Sequence, residues 1–258
     1  MELIISELLE SDFIYFEQGA QIEYLEGAVF VQMTGLEKVA AACVVQRINP
    51  SVIFSDLNEW LFIVEAKFRK SGNFLVRLYL QSQFEQLEIV LRKQGYQART
   101  EIGLIGNYTA AKPPNHLLLH PVKNEDDWLQ KLLFHRDCKL GPDGYETEPE
   151  KWVEMERRKY EQGTLQPYLV EVNGQICGAV GTIETPNLLR LKNLVIHPQY
   201  RKRGFASQTV YLVSNLSKNM GKSGVGCFAV AGGIGEKVYQ GCGLVPQTKQ
   251  VEWTKNLT

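Results

Sequence analysis

Residues 194–207, LVIHPQYRKRGFAS, decide the fold of this chain, because they combine a strand, a short basic turn and the first turn of a helix. Pro198 ends the strand, since proline offers a β-ladder no N–H donor. Gly204 lets the backbone approach a ligand closely, where a Cβ would collide. A helix that begins here presents unpaired N–H groups and a positive end, so the pattern indicates a site for a phosphate-like anion.

The helix after this turn is predicted to pack one face on a core. Its apolar residues recur at helical spacing: Ala206, Val210, Val213, Leu216 and Met220. The turn is therefore expected to be held rigidly at the protein surface.

At these residues the chain resembles the GNAT superfamily of N-acetyltransferases. The family pattern is an apolar strand, a proline, and then Arg/Gln-x-x-Gly-x-Gly/Ala at the start of a helix. Here Arg201, Gly204 and Ala206 supply the second part. A later segment, VYQGCGL at residues 238–244, resembles the family helix end Tyr-x-x-x-Gly-Phe. The alternative is a basic surface turn before an ordinary helix, but both elements in this order favour the coenzyme site.

The resemblance implies which residues hold acetyl-CoA. The strand backbone would bind the pantetheine like an added strand, and the turn and helix start would wrap the pyrophosphate. The predicted coenzyme-binding residues are Leu194, Val195, Ile196, Arg201, Lys202, Arg203, Gly204, Phe205, Ala206 and Ser207. Tyr239 is predicted to protonate the departing thiolate, a role suited to a group with a high pKa. The alternative for Tyr239 is an interior tyrosine that anchors a helix.

The leading hypothesis is direct transfer of the acetyl group of acetyl-CoA to a primary amine of a small molecule or peptide. Two alternatives are a non-catalytic acyl-CoA-binding or sensing protein and a structural protein that only retains the fold. Lys192 and Asn193 stand where family members often place an acidic general base. Glu171, Glu184 or a chain of water molecules could replace that base, and the sequence does not choose between them.

Composition sets limits on the class of protein. The 258 residues are 44% hydrophobic and 22% charged with a net charge of −1, which is ordinary for a globular protein and gives no argument from bulk charge for a nucleic-acid partner. No apolar run approaches the length of a membrane span, and the first residues lack the pattern of a signal peptide. The five cysteines are an odd number without paired spacing, which favours a cytoplasmic location. The four histidines form no metal-ligand pattern, so no metal is expected.

The C-terminal half reads as a compact α/β unit. Helices are predicted from Asn124 to Phe134, with a buried stripe of Trp128, Leu129, Leu132 and Leu133, and from about Glu148 to Glu161. A hairpin is predicted around Asn173-Gly174, a dipeptide suited to positive φ. A strand from Leu189 to Ile196, the helix after the basic turn, a strand from Val225 to Val230, a helix ending at Tyr239 and a last strand pair to Trp253 follow.

The N-terminal half resembles the C-terminal half under a constant shift of 148 residues, which brings Pro50 onto Pro198 and Gly95 onto Gly243. Residues 57–70 then fall on the helix after the basic turn, and residues 74–80 on the next strand. This regularity predicts a duplicated domain. Two unrelated α/β halves with coincident patterns are the alternative.

The N-terminal copy is predicted to have lost the coenzyme site. Under the same shift Arg201 corresponds to Ile53 and Gly204 to Asp56, which would repel a diphosphate. This half would complete the core, shape the acceptor pocket or mediate homodimerisation, and aromatics such as Trp60 and Phe62 fit any of these roles. The predicted fold is therefore α/β (α+β): two tandem GNAT-like copies, each with a mixed, mostly antiparallel sheet flanked by helices. The predicted domains are 1–112, degenerate, and 115–258, catalytic, joined at the two prolines of residues 110–115.

Overall fold

The computed structural model describes residues 2–49, 51–53, 56–81, 84–106, 116–138 and 148–257. Pro50 and the predicted junction at residues 110–115 lie outside this part of the chain. The helices are α1 (Glu2–Glu17), α2 (Leu57–Lys70), α3 (Glu85–Lys93), α4 (Glu125–Cys138), α5 (Pro149–Glu161), α6 (Phe205–Asn219) and α7 (Ile234–Gly241). The strands are β1 (Gln21–Leu25), β2 (Ala28–Gln32), β3 (Cys43–Gln46), β4 (Leu75–Leu80), β5 (Gln97–Gly106), β6 (Leu117–Pro121), β7 (Gln166–Val172), β8 (Gln175–Glu184), β9 (Leu188–Ile196), β10 (Gly224–Val230) and β11 (Val245–Asn256).

The chain forms two compact units, neither of which is a single stretch of sequence. The larger unit comprises Met1–Tyr15 and Ile102–Thr248, and the smaller unit comprises Phe16–Glu101 and Lys249–Thr258. None of the described helices has the length and apolar character needed to cross a bilayer. The predicted domain limits of 1–112 and 115–258 stay a prediction.

The larger unit has a mixed, mostly antiparallel arrangement of strands. Its strand order is β5-β10-β9-β8-β7-β6. The pairs β6/β7, β7/β8 and β8/β9 are antiparallel, whereas β9 and β10 are parallel. Asn173 and Gly174, with φ of 50° and 75°, connect β7 to β8 as the hairpin prediction requires.

The smaller unit has the same kind of arrangement. Its strand order is β1-β2-β3-β4-β11, antiparallel except for the parallel pair β3/β4. A shift of 148 residues carries α2 onto α6, β4 onto β10 and α3 onto α7, with offsets of at most a few residues at their ends. The predicted α/β fold class, with its mixed, mostly antiparallel strands and flanking helices, is confirmed.

The strands of the larger unit carry apolar clusters on both faces. On one face Leu189 and Leu191 of β9 pack with Val210 and Val213 of α6. On the other face helices α4 and α5 contribute Trp128, Phe134 and Val153, which pack against residues of β7 and β8. The basic turn connects β9 and α6, and both of these elements are packed in the core, so the position of the turn is fixed.

Helix α4 corrects the predicted buried stripe. Leu129 and Leu133 are exposed, at 53% and 52%, whereas Lys131 and His135 are buried. Lys131 Nζ lies 2.9 Å from Glu156 Oε2 on α5, so an ion pair occupies part of the buried face. Apolar periodicity was right for Trp128 and Leu132, which belong to a core cluster, and wrong for Leu129 and Leu133.

Other predicted elements differ in smaller ways. The end of the chain is one long strand, β11, rather than a strand pair. Helix α6 ends at Asn219, so Met220 lies beyond it and is 40% exposed. In the smaller unit Trp60 and Phe68 belong to the core, whereas Phe62 is 70% exposed.

Burial of His135 predicts a loss of stability in acid. Burial, followed by the charge of Lys131, lowers the pKa of His135 from 6.5 to about 3. The unfolded chain therefore takes up a proton near pH 6.5 that the folded chain refuses, and stability falls as the pH drops from 6.5 toward 3. We expect His135→Asn to remove about 2 kcal/mol of that fall between pH 6.5 and about pH 4.5.

The measurement is urea unfolding at a series of pH values. His116→Asn, at an exposed histidine, is the matched control and should leave the profile unchanged. An identical pH profile for wild type and His135→Asn would contradict the buried neutral imidazole.

Candidate functional site

The parallel pairing between β9 and β10 stops early, and a site opens where it stops. The paired residues run from Leu188 and Gly224 to Arg190 and Gly226, although the two strands continue to Ile196 and Val230. On the other side of β9 the register with β8 shifts between Ala179 and Gly181, so that β9 has one extra residue. Such a bulge bends its strand and breaks the local ladder.

The bulge contains Asn193, whose φ of 55° is left-handed. After it Val195 and Ile196 of β9 keep their antiparallel partner β8, whereas residues 194–196 do not pair with β10. Backbone N–H and C=O groups on that side are thus available to an extended ligand, which would bind as an added strand. The three predicted pantetheine residues lie on this segment.

The basic turn follows β9 as the sequence predicts. A short 3-10 turn spans Pro198–Tyr200, and Lys202 and Gly204 have φ of 62° and 79°. Gly204 is the N-cap of α6 and provides no side-chain cap. The first N–H groups of α6 therefore point outward at the positive end of a 15-residue helix.

The charges of the turn are arranged around this helix start. Residues 201–204 are exposed. The Nε of Arg201 donates to the carbonyl of Ile196 at 3.0 Å, which ties the guanidinium to the end of β9. The Arg203 guanidinium lies 5.5 Å from the ring centre of Tyr200. An exposed cluster of three cations beside an uncapped helix start is suited to a diphosphate.

Tyr239 lies on α7, whose C-terminal end adjoins the start of α6. The Cys242 Sγ is 3.8 Å from the carbonyl of Ser207, which joins the two helix ends. Tyr239 is 9% exposed and packs with Val225 and Cys227 of β10. Burial, and then the neighbouring cysteines, raise the pKa of the Tyr239 phenol, so it is protonated at neutral pH and able to donate a proton.

The two carboxylates considered as bases are engaged elsewhere. Glu184 Oε1 lies 2.7 Å from Lys222 Nζ, and Glu171 Oε1 lies 3.6 Å from His120 Nδ1. Sequence reasoning missed a third carboxylate, Glu156 of α5, which is 1% exposed and accepts a hydrogen bond from Asn193 Nδ2 at 2.9 Å. Its signal was its position among the apolar residues of α5, on the face that α5 buries.

A cavity of about 320 Å³ lies beside the turn, on the face covered by α4. Its lining residues are Gln130, Leu133, Phe134, Asp137, Ile176, His197, Gln199 and Tyr200. Asp137 Oδ2 is 2.8 Å from His197 Nε2 and is the acidic group of this lining. Among the residues that the structure describes, no group of three or more His, Cys, Asp or Glu side chains could hold a metal ion.

In the described part of the smaller unit, the corresponding helix start is capped by its own side chain. Asp56 occupies the N-cap of α2, with φ of −56°, and its carboxylate accepts a hydrogen bond from the Asn58 N–H at 2.8 Å. Ile53 is 8% exposed and belongs to the core. The helix start that would face a ligand thus caps itself with a negative charge.

Comparison with known proteins finds a family model that matches part of the chain. Residues 131–231 match the family model described as acetyltransferase (GNAT) family. The matched residues include the basic turn, and the match confirms the resemblance found in the sequence. No curated protein sequence matches the chain. The family match supports acyl transfer in general.

Solved structures with this fold cover nearly the whole chain. A conserved protein of unknown function from Staphylococcus epidermidis superposes with a TM-score of 0.70 at 12% identity, covering 95% of this chain and 98% of that one. A GCN5-related N-acetyltransferase from Kribbella flavida gives 0.67 at 13% identity, covering 99% and 95%. A tandem GNAT protein from the clavulanic acid biosynthesis pathway gives 0.58 at 11% identity, covering 95% and 87%. At these identities the likeness shows the fold.

The self-capped helix start of the smaller unit gives a stability prediction. We expect Asp56→Ala to lower the free energy of unfolding by about 1 kcal/mol, because the Asn58 N–H loses its acceptor. Asp56→Asn keeps an acceptor oxygen and should retain most of that stability. Chemical denaturation followed by circular dichroism measures both, and equal losses in the two variants would contradict the capping role.

Proposed function

We propose that this chain, which carries a domain of the GNAT acetyltransferase family, transfers the acetyl group of acetyl-CoA directly to a primary amine of a small molecule or peptide. The observation that carries this proposal is the early end of the β9/β10 pairing, next to the uncapped start of α6. The first feature suits an extended amide-bearing arm, and the second suits a diphosphate. Acetyl-CoA combines both chemical groups.

Each part of the turn has a proposed role in holding the coenzyme. The N–H groups from Gly204 to Ser207 would bind the pyrophosphate, and Arg201, Lys202 and Arg203 would add positive charge. Gly204 suits this place because its φ of 79° is strained for other residues, and its Cα surface stays open to a ligand. The backbone of Leu194, Val195 and Ile196 would pair with the pantetheine amides.

The reaction forms a C–N bond and breaks the C–S bond of the thioester. A backbone N–H of β9 near the bulge would stabilise the negative charge that develops on the carbonyl oxygen. Tyr239 would donate its phenolic proton to the departing sulfur, and its raised pKa keeps that proton in place until then. The amine would lose a proton to water, because Glu184 pairs with Lys222 and Glu171 lies beside His120.

Charge reversal at the turn tests coenzyme binding. We expect Arg201→Glu to weaken the binding of coenzyme A by about tenfold or more, since it sets a carboxylate beside the diphosphate site. Isothermal titration calorimetry with coenzyme A measures this. Asp56→Asn, at the equivalent place in the smaller unit, is the matched control and should bind as the wild type does.

Two outcomes would contradict the assignment of the site. If coenzyme affinity survived Arg201→Glu and was lost in Asp56→Asn, the smaller unit would hold the ligand. If the wild-type chain gave no binding heat with either acetyl-CoA or coenzyme A, the structural-protein alternative would stand.

Removal of one hydroxyl group tests the proton donor. We expect Tyr239→Phe to lower kcat by about 10²-fold on an amine that the wild type acetylates, with little change in coenzyme affinity, because the aromatic packing is kept. Thiol release over a panel of amines measures the rate. Full turnover by Tyr239→Phe at every pH would remove the acid role. Tight coenzyme binding without turnover on any amine would favour the binding or sensing protein.

A further inference from the structure

The bulge that opens the site depends on a residue in an unusual conformation. Asn193 adopts a φ of 55° inside a strand, where side chains other than glycine rarely go. Asparagine tolerates this region better than most residues do, but an interior strand position still requires support from its surroundings. The structure shows what that support is.

The side chain of Asn193 is held from two sides. Its Nδ2 donates to Glu156 Oε1 at 2.9 Å and contacts the Tyr15 hydroxyl at 3.3 Å. Glu156 is 1% exposed, and its second oxygen lies 2.9 Å from Lys131 Nζ, which is also 1% exposed. Helices α1, α5 and α4 thus each contribute one of these three supporting groups.

Burial of the Lys131–Glu156 ion pair is energetically costly. Two ions removed from water repay their desolvation only when geometry is good and their remaining hydrogen-bonding capacity is used. Glu156 accepts a hydrogen bond from Asn193 on Oε1, whereas its Oε2 lies 2.9 Å from Lys131 Nζ as an ion pair without hydrogen-bond geometry. Because both oxygens are engaged and buried, Glu156 cannot reach an amine acceptor and does not serve as the base.

We propose that Glu156, oriented by Lys131, is a positioning residue that holds Asn193 in its left-handed conformation and so fixes the β9 backbone of Leu194–Ile196 where the thioester lies. This inference rests on the proposed function for its kinetic consequence. Its structural consequence, the dependence of the bulge on Glu156, is independent of any substrate.

A double-mutant cycle separates positioning from simple stability. Glycine adopts positive φ without a supporting side chain, so Asn193→Gly should keep the bulge on its own. We expect Glu156→Ala to lower kcat by about tenfold or more and to weaken the binding of coenzyme A by a smaller factor, because the pantetheine contacts on β9 are disturbed while the diphosphate cradle at the start of α6 is kept. In the Asn193→Gly background, Glu156→Ala should cause little further loss of kcat.

Two further variants protect the test. If Glu156→Ala does not fold, Glu156→Gln combined with Lys131→Met removes both charges while keeping an acceptor for Asn193, and it should retain kcat. Glu65→Ala is the matched control. Glu65 lies on helix α2 of the smaller unit, and its carboxylate pairs with Lys255 Nζ at 2.7 Å. This variant should lower stability without changing the ratio of kcat to KM.

A readout without substrate distinguishes failure of this inference from failure of the proposed function. The amide resonances of Leu194 and Val195 in 15N-labelled protein should move in Glu156→Ala and move much less when Asn193→Gly is already present. Additive shifts, or equal losses of kcat from Glu156→Ala in both backgrounds, would overturn the positioning role. If the shifts are coupled but the protein acetylates no amine, the positioning role of Glu156 is correct and the proposed acetyl transfer is wrong.

Discussion

The larger unit depends on a constraint between two strands: β9 and β10 begin as parallel neighbours and part after Arg190 and Gly226. Backbone N–H and C=O groups inside a sheet require partners, so strands seldom separate before they end. Here the bulge at Asn193 forces the separation, and the turn after Ile196 then brings a helix start to the same end of β9. The candidate site therefore has two parts at one end of β9: the strand edge beside the bulge, and the helix start that the turn adds.

The cost of that irregularity is met by polar groups under the sheet. Lys131, Glu156 and Lys159 are all buried to 1% exposure or less, and none of them belongs to the apolar clusters. Lys159 donates to the Tyr15 carbonyl, and burial together with Lys192 lowers its pKa from 10.5 to about 7. A core made only of apolar residues would be easier to stabilise. Of these groups, Glu156 contacts the bulge residue Asn193 directly.

The sequence predicted the local features well, because each rests on residues close together in the chain. Helix α6 begins directly after Gly204, Asn173-Gly174 forms the hairpin, and α2 occupies residues 57–70 as the repeat requires. The bulge could not be predicted, since it exists only in the register between β8 and β9. Leu129 and Leu133 were wrongly placed in the buried stripe of α4 for a related reason. The buried face of α4 includes an ion pair with α5, and the apolar period of α4 alone does not show where that partner lies.

The two helix starts show how little sequence change separates a binding site from a structural cap. Gly204 and Asp56 stand at equivalent places, before α6 and α2. The glycine, with φ of 79°, has no side chain that could accept a hydrogen bond, so the first N–H groups of α6 can donate to a ligand. The aspartate, with φ of −56°, supplies the acceptor itself and repels any other anion. The first N–H groups of a helix can donate either to the helix's own cap residue or to a ligand, but not to both. A duplicated fold with one helix start of each kind would therefore use one unit for ligand binding and the other for stability.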